Sequence, residues 1–228
     1  HEDYPRNFDI LTIENRYLGN SYRIAGGMKY TILSDNIGYV YYEDFSRAVG
    51  EGNLDEMLAY FAPCNGIIFD VRDNGGGTLT YAERIAARFT NEKVHTGYIM
   101  HKTGPGHNQF SQPKPVYVEP SNRIRWQKPV AVLTNRSAYS TTNEFANIVR
   151  YMPNAVLIGD RTGGGAGLPF TSELPNGWGV RFSASPHLDA EKNHIEFGIE
   201  PDIKIDLTSL TLHDDIIEEA RKTLKNMQ

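Results

Sequence analysis

The stretch "GIIFDVRDNGGG", residues 66–77, decides the fold. Its first seven residues form a largely apolar run, which is typical of a strand that is covered on both faces of a sheet. Three consecutive glycines end the stretch, and a helical pattern begins at Thr78. A buried strand that leads through a loop into a helix predicts an α/β fold with a largely parallel sheet.

Strands and helices alternate on either side of this stretch. We predict a strand at residues 37–42 and buried strands at residues 66–72, 129–135 and 155–160. Helices are predicted at residues 53–61, 78–89 and 213–226 and after Ser140, and a hairpin from residues 168–173 and 179–185. In such folds, ligands lie beyond the carboxyl ends of the strands. Three unusual loops occupy this position, and we therefore expect residues 73–77, 137–142 and 161–167 to converge.

Composition limits the class of protein. The 228 residues suffice for one well-cored domain. Lys and Arg total 23 against 28 Asp and Glu, a net charge of −5 without any basic run, which argues against nucleic acid or an anionic membrane as the main partner. No apolar stretch has the length of a membrane span, so we expect no membrane insertion. The seven histidines lack metal-ligand spacing, so we expect no metal or cofactor and place most of them on the surface.

Four hydroxyl side chains precede the predicted central helix, namely Ser137, Ser140, Thr141 and Thr142. A serine or threonine at a helix start is more often an N-cap than a nucleophile. Three adjacent candidates nevertheless exceed what one cap requires. A strand-to-helix turn is also where α/β folds present a nucleophile, with helix N–H groups beside it. Both interpretations stay open on the residues alone.

The glycine loops also allow two interpretations. Backbone without side chains can approach a ligand closely and can point N–H groups at a developing negative charge. A tight turn is the alternative, and it is favoured when the motif is taken alone. Neither G-x-G-x-x-G nor G-x-x-x-x-G-K-[ST] is present, so we predict no nucleotide.

Four motifs occur in a characteristic order along residues 37–207. They are "GIIFDVRDNGGG", "PVAVLTNRSAYSTTNEFA", "AVLIGDRTGGGAG" and "EFGIEPDIKI". They resemble, in turn, the D-x-R-x-N-x-G-G loop, the nucleophile turn, the G-E-x-T-x-G loop and the closing G-[IV]-x-P-D-[IV] motif of the tail-specific, or C-terminal processing, serine peptidases. The chain is thereby identified as a member of that family.

This resemblance implies a ClpP/crotonase-like α/β core with a largely parallel sheet, helices on its faces and a closing C-terminal helix. We expect residues 37–228 to form the peptidase core, residues 1–36 to be a segment that leads into it, and no PDZ domain to be present. The family implies export to the bacterial periplasm or cell surface. Oligomeric state is not indicated.

The family's functional positions carry over onto this sequence. The nucleophile falls on Ser140, with Glu144 following on the helix. The implied oxyanion donors are the N–H groups of Thr141 and Gly76. Positions implied to contact substrate are Gly75, Gly77, Gly164 and Gly165.

The catalytic base is where the chain departs from the family pattern. The lysine of many members, twenty-five residues after the serine, falls on Gly165. In branches without that lysine, the active members resemble enzymes with a Ser–His pair and a glutamate near the closing motif. For that glutamate, Glu196 is the first choice and Glu200 the second. Their histidine belongs to an upstream Asp-Gly-His, which this sequence lacks. We expect the histidine to lie upstream of this chain; another residue serving as base, or an inactive protein, are the alternatives.

Taken together, the resemblance implies a serine endopeptidase that cleaves C-terminal or extended segments of proteins, held by strand addition to a sheet edge. Two alternatives remain. The first is a non-catalytic protein of the same fold that binds a peptide or a lipophilic ligand. The second is a crotonase-type acyl-CoA enzyme, which uses backbone oxyanion holes and has no need of Ser140.

Overall fold

A computed structural model of the protein describes residues 8–205 and 213–227. Its helices are α1 (Ile10–Thr12, which runs directly into a π-helical segment, Ile13–Leu18), α2 (Glu51–Tyr60), α3 (Leu79–Ala86), α4 (Thr141–Val149) and α5 (Asp215–Asn226). Its strands are β1 (Arg23–Ala25), β2 (Met28–Ile32), β3 (Ile37–Tyr42), β4 (Gly66–Asp70), β5 (Val94–Ile99), β6 (Lys114–Val118), β7 (Val130–Thr134), β8 (Ala155–Gly159), β9 (Leu168–Glu173), β10 (Gly179–Ser185), β11 (His187–Leu188) and β12 (Ile203–Lys204).

The main sheet has seven strands in the order β1-β2-β3-β4-β7-β8-β12. From β3 to β12 all neighbouring strands are parallel, whereas β1 and β2 extend the β3 edge antiparallel. The predicted α/β fold with a largely parallel sheet is confirmed. Residues 23–32, which belong to the predicted leading segment, thus add two strands to the core sheet; residues 1–7 of that segment lie outside the described residues.

Apolar side chains fill both faces of this sheet. Every residue of β3, β4 and β7 is buried. Within β4, Ile67 and Phe69 point into a cluster that also includes side chains of α2, α3 and α4, and Ile68 points into a second cluster with side chains of α5. Each such side chain contributes about 1.5–3 kcal/mol to stability, so the continuous apolar run of β4 specifies a central, two-sided strand.

Several element boundaries agree with the predictions. Strand β3 and the hairpin strands β9 and β10 match residue for residue. The predicted strand at residues 66–72 ends earlier, at Asp70, because Arg72 is drawn inward to ion pairs with Asp70 and Asp214 at 2.6 and 2.8 Å.

One small sheet was not predicted. Strands β11, β5 and β6 form an antiparallel three-stranded sheet. Its pattern is hidden in the sequence because the register shifts between His95 and Gly97, and because Pro115 lies within β6. This sheet matters for the site, since it places β11 beside helix α4.

No helix in the described ranges, 8–205 and 213–227, combines the length and the apolar character that crossing a bilayer would demand.

Candidate active site

The three loops that follow β4, β7 and β8 meet at one end of the sheet. The N–H of Tyr139 donates to the carbonyl of Asn74 at 3.0 Å, and the N–H of Ser140 donates to the carbonyl of Gly164 at 2.8 Å. The turn before α4 is therefore held between the two glycine loops. The predicted convergence is confirmed, as expected for the carboxyl ends of neighbouring parallel strands.

Ser140 lies at the N-cap of α4 in a strained conformation, with φ 58° and ψ −118°. A non-glycine residue in such a region costs about 1–3 kcal/mol and persists only where its surroundings hold it. Here both backbone groups are engaged, because its N–H is bonded to Gly164 and its carbonyl accepts the N–H of Glu144 at 3.0 Å. Strain of this kind concentrates at functional sites, including the nucleophile turns of α/β enzymes.

Hydrogen bonds distinguish the three adjacent hydroxyls. Thr141 Oγ1 donates to the carbonyl of Gly77 at 2.7 Å, and Thr142 Oγ1 donates to Asn74 Oδ1 at 2.7 Å. Ser140 does not cap its helix, and its hydroxyl has no hydrogen-bond partner anywhere in the described parts of the chain. The two threonines therefore hold the glycine loop against the helix, and of the three hydroxyls only that of Ser140 is unengaged within the described residues.

Asn74 connects the glycine loop to the turn before α4. It is fully buried, its Nδ2 donates to the carbonyl of Tyr42 at 2.8 Å, and its Oδ1 accepts from Thr142 and from the N–H of Gly76 at 2.9 Å. Because every polar atom of this side chain is satisfied, the loop has one defined position relative to Ser140.

Gly76 approaches the Ser140 turn more closely than any side chain would permit. A Cβ added there would lie 2.9 Å from both Ser140 Cβ and the N atom of Thr141, and the residue has φ 101°. Its N–H, an expected oxyanion donor, is already donated to Asn74. The N–H of neighbouring Gly77 has no partner within the described residues. Thr141 N–H stands at the positive end of helix α4.

The second glycine loop holds the segment that carries Glu196. The N–H of Gly165 donates to the carbonyl of Glu196 at 2.9 Å, and a Cβ at Gly164 would lie 2.0 Å from the same carbonyl oxygen. Glu196 and Ser140 both line a cleft of about 290 Å³. Burial raises the pKa of the Glu196 carboxyl, an effect that nearby His194 opposes.

Glu200, the second choice for the catalytic glutamate, points elsewhere. Its side chain is exposed and forms an ion pair with Arg161 at 3.6 Å. Of the two predicted glutamates, Glu196 is thus the one that shares a cleft with Ser140.

A histidine that sequence reasoning missed lies beside the serine. His187 is buried in β11, and its Nδ1 is 2.9 Å from Oε2 of Glu144. We expect most histidines at the surface, and His107, His194 and His213 are exposed, whereas His187 is buried. Forty-three positions separate His187 from Glu144, and no local pattern marks a pairing that only the packing of β11 against α4 creates.

Within the described residues, no group of three or more His, Cys, Asp or Glu side chains is arranged to hold a metal ion.

Several known proteins resemble this chain in sequence or in structure. A protein of Parabacteroides merdae, whose crystal structure was solved as that of a candidate peptidase, is 57% identical, with a TM-score of 0.92 over 97% of this chain and 71% of that one. The carboxyl-terminal-processing peptidase 2 of Arabidopsis thaliana chloroplasts is 28% identical over 176 residues, which are 74% of this chain and 32% of that protein. Mature CPAF shares the fold, with a TM-score of 0.72 at 15% identity over 87% of this chain and 53% of that one.

An uncharacterised protein of Chlamydia muridarum is 29% identical over 154 residues, 62% of this chain and 25% of that protein. This chain therefore spans only about a fifth to a third of the curated relatives it matches. The profile of Peptidase family S41 matches residues 36–205, which include both glycine loops, Ser140 and Glu196. The chain belongs to peptidase family S41.

Proposed function

We propose that the protein is a serine endopeptidase in which Ser140 is the nucleophile. The observation that carries the proposal is the state of this residue. Its hydroxyl has no hydrogen-bond partner in the described residues, while its backbone is held at φ 58° between two glycine loops. A serine that only capped the helix would show the opposite, because its side chain would accept a hydrogen bond from a helix N–H and its backbone would be unstrained.

In the proposed reaction, Ser140 Oγ attacks a peptide carbonyl and forms a tetrahedral intermediate. Its oxyanion would accept from Thr141 N–H and from an N–H of the glycine loop. Gly76 can serve if it leaves Asn74, and Gly77 can serve without that change. Loss of one such donor typically lowers kcat by about 10²–10³-fold. Gly75 and the loop of Gly164 would border the substrate.

The proposed substrate is an extended, C-terminal segment of a protein. Strand β9 begins at Leu168 and Pro169, which line the two clefts that contain Ser140. It pairs only with β10, so its other edge offers free backbone groups for an added strand within the described structure. Exposed Phe170 on β9 would contact substrate side chains on its face of the hairpin, with the ring of Phe182 packed against it at 5.6 Å.

The test is labelling of the complete protein by a fluorophosphonate, which reacts covalently with activated serines. We expect adduct formation on the peptide that contains Ser140, and none in Ser140→Ala. Ser137→Ala, three residues away and exposed, is the matched control and should label normally. No labelling of folded, complete protein would contradict the proposal.

Export to the bacterial periplasm or cell surface belongs to the same proposal, on the strength of the family resemblance. Cell fractionation checks it, and recovery of the protein in the cytosol alone would contradict it.

A second candidate is a non-catalytic binding protein of the same fold. One observation favours it: Gly165 stands where many members carry the catalytic lysine, and the ring of Tyr139 fills the space above it. Peptide binding by Ser140→Ala and by the unchanged protein with equal affinity, without cleavage by either, would establish this alternative.

A further inference from the structure

A buried histidine and glutamate lie beside Ser140 and have no role in the function proposed above. His187 belongs to β11 and Glu144 to the first turn of α4, and 2.9 Å separates Nδ1 from Oε2. Only 7% of His187 and 8% of Glu144 is exposed. Burying two polar groups has a desolvation cost that can equal the gain from their pairing. The pair is therefore weak evidence that these residues serve only to stabilise the fold.

The pairing leaves one ring nitrogen unused. When the carboxylate is ionised it only accepts hydrogen bonds, so Nδ1 of a neutral His187 ring then carries the hydrogen and Nε2 carries the lone pair. That Nε2 is buried and has no hydrogen-bond partner among the described residues. Unpartnered buried polar atoms are rare in folded proteins. Of the five such side-chain atoms among the described residues, Nε2 of His187 is the one whose residue lines a cavity with Ser140.

The pair and the serine share one cavity of about 130 Å³, lined by Ser140, Thr141, Glu144 and His187 together with Leu79 and small or apolar residues of both glycine loops. Glu144 N–H donates to the carbonyl of Ser140 at 3.0 Å, which sets the carboxylate one helical turn from the nucleophile. A nucleophile, a ring with a free lone pair and the acid that orients it therefore line the same small space.

We propose that His187, oriented by Glu144, is the general base that activates Ser140; this inference rests on the peptidase function proposed above. As the bond from Ser140 Oγ to the carbonyl carbon forms, the hydroxyl proton passes to Nε2 and the carbonyl π electrons move to oxygen. When the intermediate collapses, the C–N bond breaks and Nε2 returns the proton to the leaving amine. A water molecule then loses a proton to Nε2 and attacks the acyl carbon, and Ser140 leaves with that proton.

Two carboxylates would stabilise the imidazolium form of His187 in this cycle, Glu144 from α4 and Glu83 from α3. The pKa of Glu83 is raised by burial and by the charge of Glu144, while His187 opposes the rise. The three groups are therefore within electrostatic reach of one another. A base at His187 also removes the need for a lysine at position 165.

The experiment is the pH dependence of the fluorophosphonate labelling rate at Ser140 in the complete protein. His187→Gln keeps most of the buried volume and removes the base. We expect labelling to slow by about 10²–10⁴-fold and to lose its acidic limb, as for removal of a general base. His101→Gln is the matched control, because His101 is bonded to Ser185 Oγ at 2.9 Å and does not line the cavity. It should label like the unchanged protein.

Glu144→Gln carries the test if His187→Gln fails to fold. It can still accept from Nδ1 but cannot stabilise the imidazolium, so labelling should slow while thermal unfolding stays cooperative. Normal labelling with an unchanged pH profile in either folded variant overturns the role of His187 and leaves the peptidase proposal standing with a base elsewhere, such as one upstream. Absence of labelling in the unchanged protein overturns both.

Discussion

The ring of Tyr139 occupies the space that a side chain at Gly165 would need. A Cβ added at Gly165 would lie 2.1 Å from Cζ of that ring, and the residue has φ 77°. Many family members carry a lysine at the position of Gly165. In this chain two features disfavour a side chain there, namely the ring of Tyr139 and a backbone conformation that L-residues rarely adopt.

Gly165→Lys should therefore destabilise the protein by about 1–3 kcal/mol, chiefly through the positive φ. Tyr139 is half exposed and can turn away, so part of the cost should disappear in a Tyr139→Ala background. Urea unfolding of the parent, the two single variants and the double variant measures the cost of the positive φ and the cost of the contact with Tyr139. Equal costs of Gly165→Lys in the two backgrounds would show that the Tyr139 ring does not fill the site.

Ser140→Gly should be more stable than Ser140→Ala by about 1 kcal/mol, because only glycine adopts φ 58° and ψ −118° without strain. Both variants lack the hydroxyl, so the comparison isolates the backbone. Glycine usually makes a protein less stable than alanine does at the same position. A more stable Ser140→Gly would therefore indicate backbone strain at residue 140. Chemical denaturation gives the free energies of unfolding, and a less stable Ser140→Gly would mean that the turn is relaxed.

Arg72→Met should cost about 3–5 kcal/mol, because it leaves two carboxylates without their buried cation. Arg72 is fully buried, is bonded to Asp70 and Asp214, and stacks on the ring of Phe8. Asp214 also caps α5 through the N–H groups of Ile216 and Ile217. Thermal unfolding measures the loss.

The control for Arg72→Met is Lys93→Met. Lys93 pairs with Glu119 at 2.6 Å, but both side chains are more than half exposed. Such surface pairs contribute about 0–1 kcal/mol. Similar losses in the two variants would contradict a special role for the buried network.

Glu83→Gln should gain stability, relative to the unchanged protein, as pH rises. The pKa of Glu83 is raised above its ordinary value of 4.5 by burial and by Glu144. A carboxyl with a raised folded-state pKa favours folding below its unfolded pKa and loses that contribution as pH passes its folded pKa. Glutamine does not titrate, so the difference in Tm, variant minus parent, should be more positive at pH 8 than at pH 4. A difference in Tm that does not grow between pH 4 and pH 8 would contradict this prediction.

Local patterns predicted much of the fold. Apolar runs identified β3, β4, β7 and β8, since a strand covered on both faces needs no partner to be recognised. Pro-Asn-Gly at residues 175–177 marked the hairpin of β9 and β10. Strands β5 and β6 were not predicted, because a register shift and a proline break the alternation of their side chains. Their pairing joins residues that are distant in sequence.

The sequence by itself determined the α/β class, because apolar runs and helical stripes are local patterns, whereas the expectation that Ser140 is the nucleophile came from the resemblance of four motifs to a peptidase family. Only the tertiary structure decided which hydroxyl is free, that Gly76 N–H is taken by Asn74, and that His187 meets Glu144 beside the serine. Those relationships join residues up to 68 positions apart, and hydrogen bonds of that range come from strand order and helix packing, which no local pattern encodes.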